Sequence, residues 1–164
     1  MPNPSARITK GQSFETLLNV ALTSPDAMAV VDCVKALALL PISDSKKEEA
    51  LLQVLQAKPS TNNVVATCLT HLMACSEGGF RHGIQVVLQE PDGFDTDCSK
   101  ASAIMRLGYL KEFTADDTRL LAQHFSHPRV ELRNASSRAI RGLTIEQQQL
   151  LLLEASLLHQ AGDT

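Results

Sequence analysis

Ala139-Ile140-Arg141-Gly142-Leu143 reads as the end of a helix: a small residue, a branched aliphatic one, and a third apolar position three residues further on. The same phrase occurs as Ala36-Leu37 with Leu40, as His71-Leu72 with Cys75 (His71 in the small residue's place) and as Ala103-Ile104 with Leu107. The four starts lie 35, 32 and 36 residues apart. That is the period of a two-helix unit, longer than any single helix or strand of ordinary size. The pairs Leu17-Leu18, Leu51-Leu52 and Leu120-Leu121 precede their anchors by 18 to 20 residues, so the first helix of each unit is in phase too. The spacing predicts an all-α chain, a short α-α superhelix (solenoid) of about four helix pairs over residues 13–40, 44–76, 80–110 and 115–143. A terminal helix follows over about 145–160, and the whole of 1–164 is read as one domain.

Punctuation supports these limits. Pro2 and Pro4 mark a polar start, Ser13 is placed to cap the first helix, and Ser24-Pro25-Asp26, Pro41, Pro59-Ser60, Pro91-Asp92-Gly93 and His127-Pro128 break the chain where units turn. Gly78-Gly79 is expected to close the fourth helix by supplying left-handed backbone.

A chain of 164 residues with 44% hydrophobic residues needs no metal or disulfide to hold a core. It contains no Trp, one Tyr and five Phe, so Leu, Ala, Val and Ile must fill the interior, a composition that suits helices better than strands. The net charge of −3 argues against a protein that coats nucleic acid. Residues 100–141 nevertheless carry eight bases against four acids, leaving the rest of the chain at −7. Met1 to Thr23 holds no apolar run of signal-peptide length, and Asp32 and Lys35 interrupt Ala27 to Leu40, so neither secretion signal nor membrane span is expected. Cytoplasm is the simplest address, with signal-independent export left open. The four cysteines are then read as reduced thiols packed as small hydrophobes.

The stretch His127-Pro128-Arg129-Val130-Glu131-Leu132-Arg133-Asn134-Ala135-Ser136-Ser137-Arg138-Ala139-Ile140-Arg141-Gly142-Leu143 resembles the second helix of a HEAT repeat, the helical-repeat family of armadillo-type superhelices. Pro128, Leu132-Arg133, Ser136 and Ala139-Ile140 fill that family's places. The earlier units keep the period but carry Val30, Val65 and Asp97 where Arg133 stands. The resemblance implies a binding scaffold that holds another protein along a groove lined by the second helices.

Candidate sites follow from that surface. Asn134, Arg138 and Arg141 share one face of the eighth helix, with Arg133 beside them; in the repeat alignment Arg138 matches Lys35, Thr70 and Ser102, a polar row along the second helices. A solvated face accounts for such a row, and so does a groove for an acidic partner segment, because arginine forks suit carboxylates. The expected function is a non-enzymatic adaptor or chaperone-like module whose partner contacts include Lys35, Arg133, Asn134, Arg138 and Arg141. The alternative is a nucleic-acid-binding domain, similar to HEAT-like DNA-repair glycosylases, using the basic face of residues 129–141; few aromatics are present to stack on bases, which disfavours it.

Leu150, Leu151, Leu152 and Leu153 cannot all lie on one narrow helical stripe, so the terminal helix either caps the fourth pair or offers a seam to a partner helix or a second copy, leaving monomer and homodimer both open. Cys68, His71 and Cys75 fall on one helical face, yet His71 and Cys75 occupy repeat-anchor positions and Cys68 matches Cys33, which favours packing over a metal. Asp92, Asp95 and Asp97 lack the spacing of a calcium loop and read as a turn and cap. His124 and His127 suit the end of the seventh helix, where positive charge complements the dipole. No nucleophile elbow, phosphate-binding glycine loop or paired carboxylates stand at motif spacing, and no cofactor or metal is expected.

Overall fold

The computed structural model describes residues 12–162, which form α-helices joined by short turns with no strand among them. The reading of Pro2 and Pro4 lies outside the described residues. The helices are α1 Phe14–Thr23, α2 Ala27–Ala38, α3 Asp44–Ala57, α4 Asn62–Cys75, α5 Glu77–Leu88, α6 Phe94–Arg106, α7 Ala115–His124, α8 Val130–Ile140 and α9 Ile145–Gly162. A 3₁₀ turn, Leu107–Tyr109, prolongs α6. Among the described residues no helix is long and apolar enough to cross a membrane.

Each start has a local cause. The Ser13 hydroxyl accepts the Thr16 N–H at 3.3 Å, the Asp26 carboxylate the Met28 N–H at 3.0 Å and the Ser43 hydroxyl the Lys46 N–H at 3.2 Å, satisfying donors that the first turn leaves without partners. At α7 the exchange is reciprocal. The Asp117 carboxylate accepts the Thr114 N–H at 2.9 Å while the Thr114 hydroxyl accepts the Asp117 N–H at 3.2 Å. Thr144 and Gln147 repeat the device at α9.

Gly78 and Gly79 do not close α4; they lie in the first turn of α5, where the Ser76 hydroxyl accepts the Gly79 N–H at 2.9 Å. A Cβ on Gly79 would meet the end of the Glu48 side chain, which would have to shift.

The chain divides into two compact units, 1–99 and 100–164, with the division falling inside α6. In the first, α1 packs on α2, α3 on α4 and α4 on α5; α1 also meets α3, α3 meets α5, and α2 meets α4. Leu17, Leu37, Leu51, Leu55, Leu69, Leu72, Phe80 and Ile84 are fully buried there, each contributing about 1.5–3 kcal/mol through loss of apolar surface to water. The Lys58 ammonium donates to the Ser24 carbonyl at 3.0 Å and the Lys46 ammonium sits 4.3 Å above the Phe14 ring, tying α3 to the preceding pair. In the second unit α7 packs on α8 and α9, and α8 meets the 3₁₀ turn. Its core includes Ile104, Leu107, Leu121, Leu132, Ala139 and Leu151.

Candidate functional site

Along α8 the buried residues Leu132, Ala135, Ser136 and Ala139 recur at three- and four-residue steps and make the inner face. The opposite face presents Asn134 and Arg138, continued past the helix end by Arg141, all exposed. Neither Arg138 nor Arg141 has an ion-pair partner among the described residues.

Arg133 behaves differently. Its Nη1 donates to the carbonyls of His127 at 2.7 Å and Pro128 at 3.0 Å, and the Nδ1 of His127 accepts the Arg129 N–H at 3.0 Å. This side chain braces the entrance of α8. His124 and His127 stack with ring centroids 5.5 Å apart and planes within 9°, while His124 Nδ1 bonds the Leu120 carbonyl at 2.8 Å. The two histidines thus bind the α7–α8 corner through specific ring contacts, beyond any interaction with a helix dipole.

At its other end α8 meets the 3₁₀ turn main chain to main chain. A Cβ on Gly108 would lie 2.5 Å from the Ala139 carbonyl oxygen, and one on Gly142 would lie 2.5 Å from the Gly108 carbonyl oxygen. Only glycine permits this approach. Beside it opens a depression of about 270 Å³ lined by Met105, Gly108, Tyr109, Arg138, Ala139, Arg141 and Gly142. Tyr109 is 73% exposed. Arg106 is held by Ser102, its Nη1 donating to the Ser102 hydroxyl at 2.6 Å and carbonyl at 3.2 Å; burial lowers its pKa and the neighbouring Tyr109 partly offsets this.

The structure therefore brings Arg138 and Arg141 together around a concave surface, assigns Arg133 to the α8 entrance, and leaves Asn134 exposed outside the depression. Lys35 is exposed in the first unit, where its charge and that of Lys47 add to burial, the larger cause, in lowering the His71 pKa. The expected polar row is interrupted at Ser102, which is buried.

On α9 the four leucines separate. Leu151 is 1% exposed, whereas Leu150, Leu152 and Leu153 are 58%, 66% and 58% exposed, so only those three remain accessible. Cys68 is buried, which pushes its thiol up to about 12; Cys75 is raised chiefly by burial and then by Asp44. All four cysteines are free thiols, and no group of three or more His, Cys, Asp or Glu able to hold a metal occurs among the described residues.

Met105, Gly108, Tyr109 and Gly142 escaped the sequence reading. The usable signals are the lone tyrosine and two glycines, each adjacent to a repeat-anchor leucine, Leu107 and Leu143. No family model matches this chain, and neither the curated proteins nor the solved structures contain a match.

Proposed function

We propose that this chain is a non-enzymatic protein-interaction module of the helical-repeat kind, and that it holds an acidic segment of its partner at the depression between Tyr109, Arg138 and Arg141. The observation that carries the reading is the pair of exposed guanidiniums without an ion pair, set three residues apart at the rim of a concave surface. Guanidinium forks bind carboxylates in planar, bidentate geometry, and a concave wall excludes the water that otherwise screens them. The superhelical architecture draws support from the 32- to 36-residue period and from the contacts of α1 with α3, α3 with α5 and α2 with α4 in the first unit. The nucleic-acid reading draws less support, because Arg133 is committed to backbone carbonyls and the available cations on this face are few.

A fluorescent glutamate-rich peptide titrated into the protein tests the assignment by anisotropy. The double substitution Arg138→Glu and Arg141→Glu should weaken binding at least tenfold with helicity unchanged. Equal binding by the variant would overturn the site, and tighter capture of duplex or single-stranded oligonucleotides, with a steep salt dependence, would favour the nucleic-acid reading instead.

A further inference from the structure

Building on the reading of this depression as the partner-binding site, we infer that its ligand is a phosphorylated side chain of the partner segment, a phosphate monoester, in preference to a carboxylate. The argument begins with charge. Side chains three residues apart on a helix stand roughly 5–6 Å apart at Cβ, so the Arg138 and Arg141 forks can converge on one group. The end of α8 contributes only about half a negative charge, which two full positive charges outweigh. No acidic side chain lines the depression, so the rim retains a net positive charge.

The size of the ligand charge points the same way. A carboxylate carries a single negative charge and would leave half of the positive charge of the two forks unmatched. A phosphate monoester brings three acceptor oxygens and a charge of about −1.5 to −2 at neutral pH, matching the charge of the two forks. The carbonyls of the floor do not compete for the same space: the Ala139 oxygen accepts the Gly142 N–H at 3.1 Å and packs against Gly108, while the Gly108 oxygen packs against Gly142. Met105 supplies an apolar wall for the carbon side of the ester.

The test uses the whole chain and four probes: a phosphoserine peptide, the same peptide with serine, the same peptide with glutamate, and phenyl phosphate. The phosphoserine peptide should bind at least tenfold more tightly than the glutamate peptide, and Arg138→Gln or Arg141→Gln should each remove most of that preference. Lowering the pH through about 6 should weaken the phosphopeptide selectively, as its second proton returns. Equal binding of the phosphoserine and glutamate peptides would overturn the inference while leaving the acidic-segment reading intact. Phenyl phosphate binding with no gain from the peptide would keep the phosphate site and overturn its peptide source. Failure of all four probes would overturn both readings.

Discussion

Between Leu17 and Val87 every buried residue is apolar, glycine or cysteine, whereas further along Asp97, Ser99, Lys100, Ser102, Asp117, Thr118 and Ser136 are also buried, none above 7% exposed. The earlier stretch is held by burial of aliphatic surface, which is non-directional and tolerant of exchange among similar volumes. The later one satisfies several of its interior polar groups with short-range bonds, although the buried Ser99 hydroxyl has no hydrogen-bond partner among the described residues: the Thr118 hydroxyl donates to the Thr114 carbonyl at 3.1 Å, the Ser136 hydroxyl to the Leu132 carbonyl at 3.1 Å, and Asp117 completes the α7 cap. Such bonds add only about 0.5–1.5 kcal/mol each but fix direction, and buried polar groups left without them cost more than the bond contributes. The candidate site lies in the stretch whose geometry is specified by direction.

The largest effect expected from this contrast is in the apolar region. Leu72→Ala removes a fully buried side chain from α4 and should cost about 2–5 kcal/mol in urea unfolding; a loss below about 1 kcal/mol would break the comparison. Gly108→Ala should cost about 1–3 kcal/mol, because the new methyl meets a main-chain oxygen rather than a movable side chain. Tyr109 is the sole tyrosine and there is no Trp, so its fluorescence reports this local displacement directly; an unchanged spectrum with unchanged stability would refute the close approach. The smallest signal is chemical. At pH 8 exposed Cys98 should react with a thiol reagent at once, and Cys68, kept protonated by burial with a pKa of about 12, only as the protein unfolds. Because an unfolded thiol ionises near pH 8.5, the Cys68 contribution is complete below that value and is lost as pH rises toward 12. Urea midpoints that stay level from pH 8 to 11 would contradict this.

The helices were legible because their causes are local: caps at Ser13, Asp26 and Ser43 and apolar residues at three- and four-residue steps lie within one or two turns of sequence. Gly78-Gly79 is ambiguous even at that range: a glycine pair serves the end of one helix or the first turn of the next, and the Ser76 hydroxyl that accepts the Gly79 N–H decides for the latter. The depression was half legible. Arg138 and Arg141 share a face by helical arithmetic, but Tyr109 and Met105 join them only because the Gly108 main chain meets Ala139. Nor does the helical period choose among Leu150 to Leu153; packing on α7 does, and it takes Leu151.

The contact between Gly108, Ala139 and Gly142 makes the base of the depression from main chain alone. Side chains of the wall can then be exchanged without changing its depth. Replacing Arg138, Arg141, Tyr109 or Met105 changes the shape and charge of the walls, while the base beneath them rests on main chain that no side-chain exchange removes.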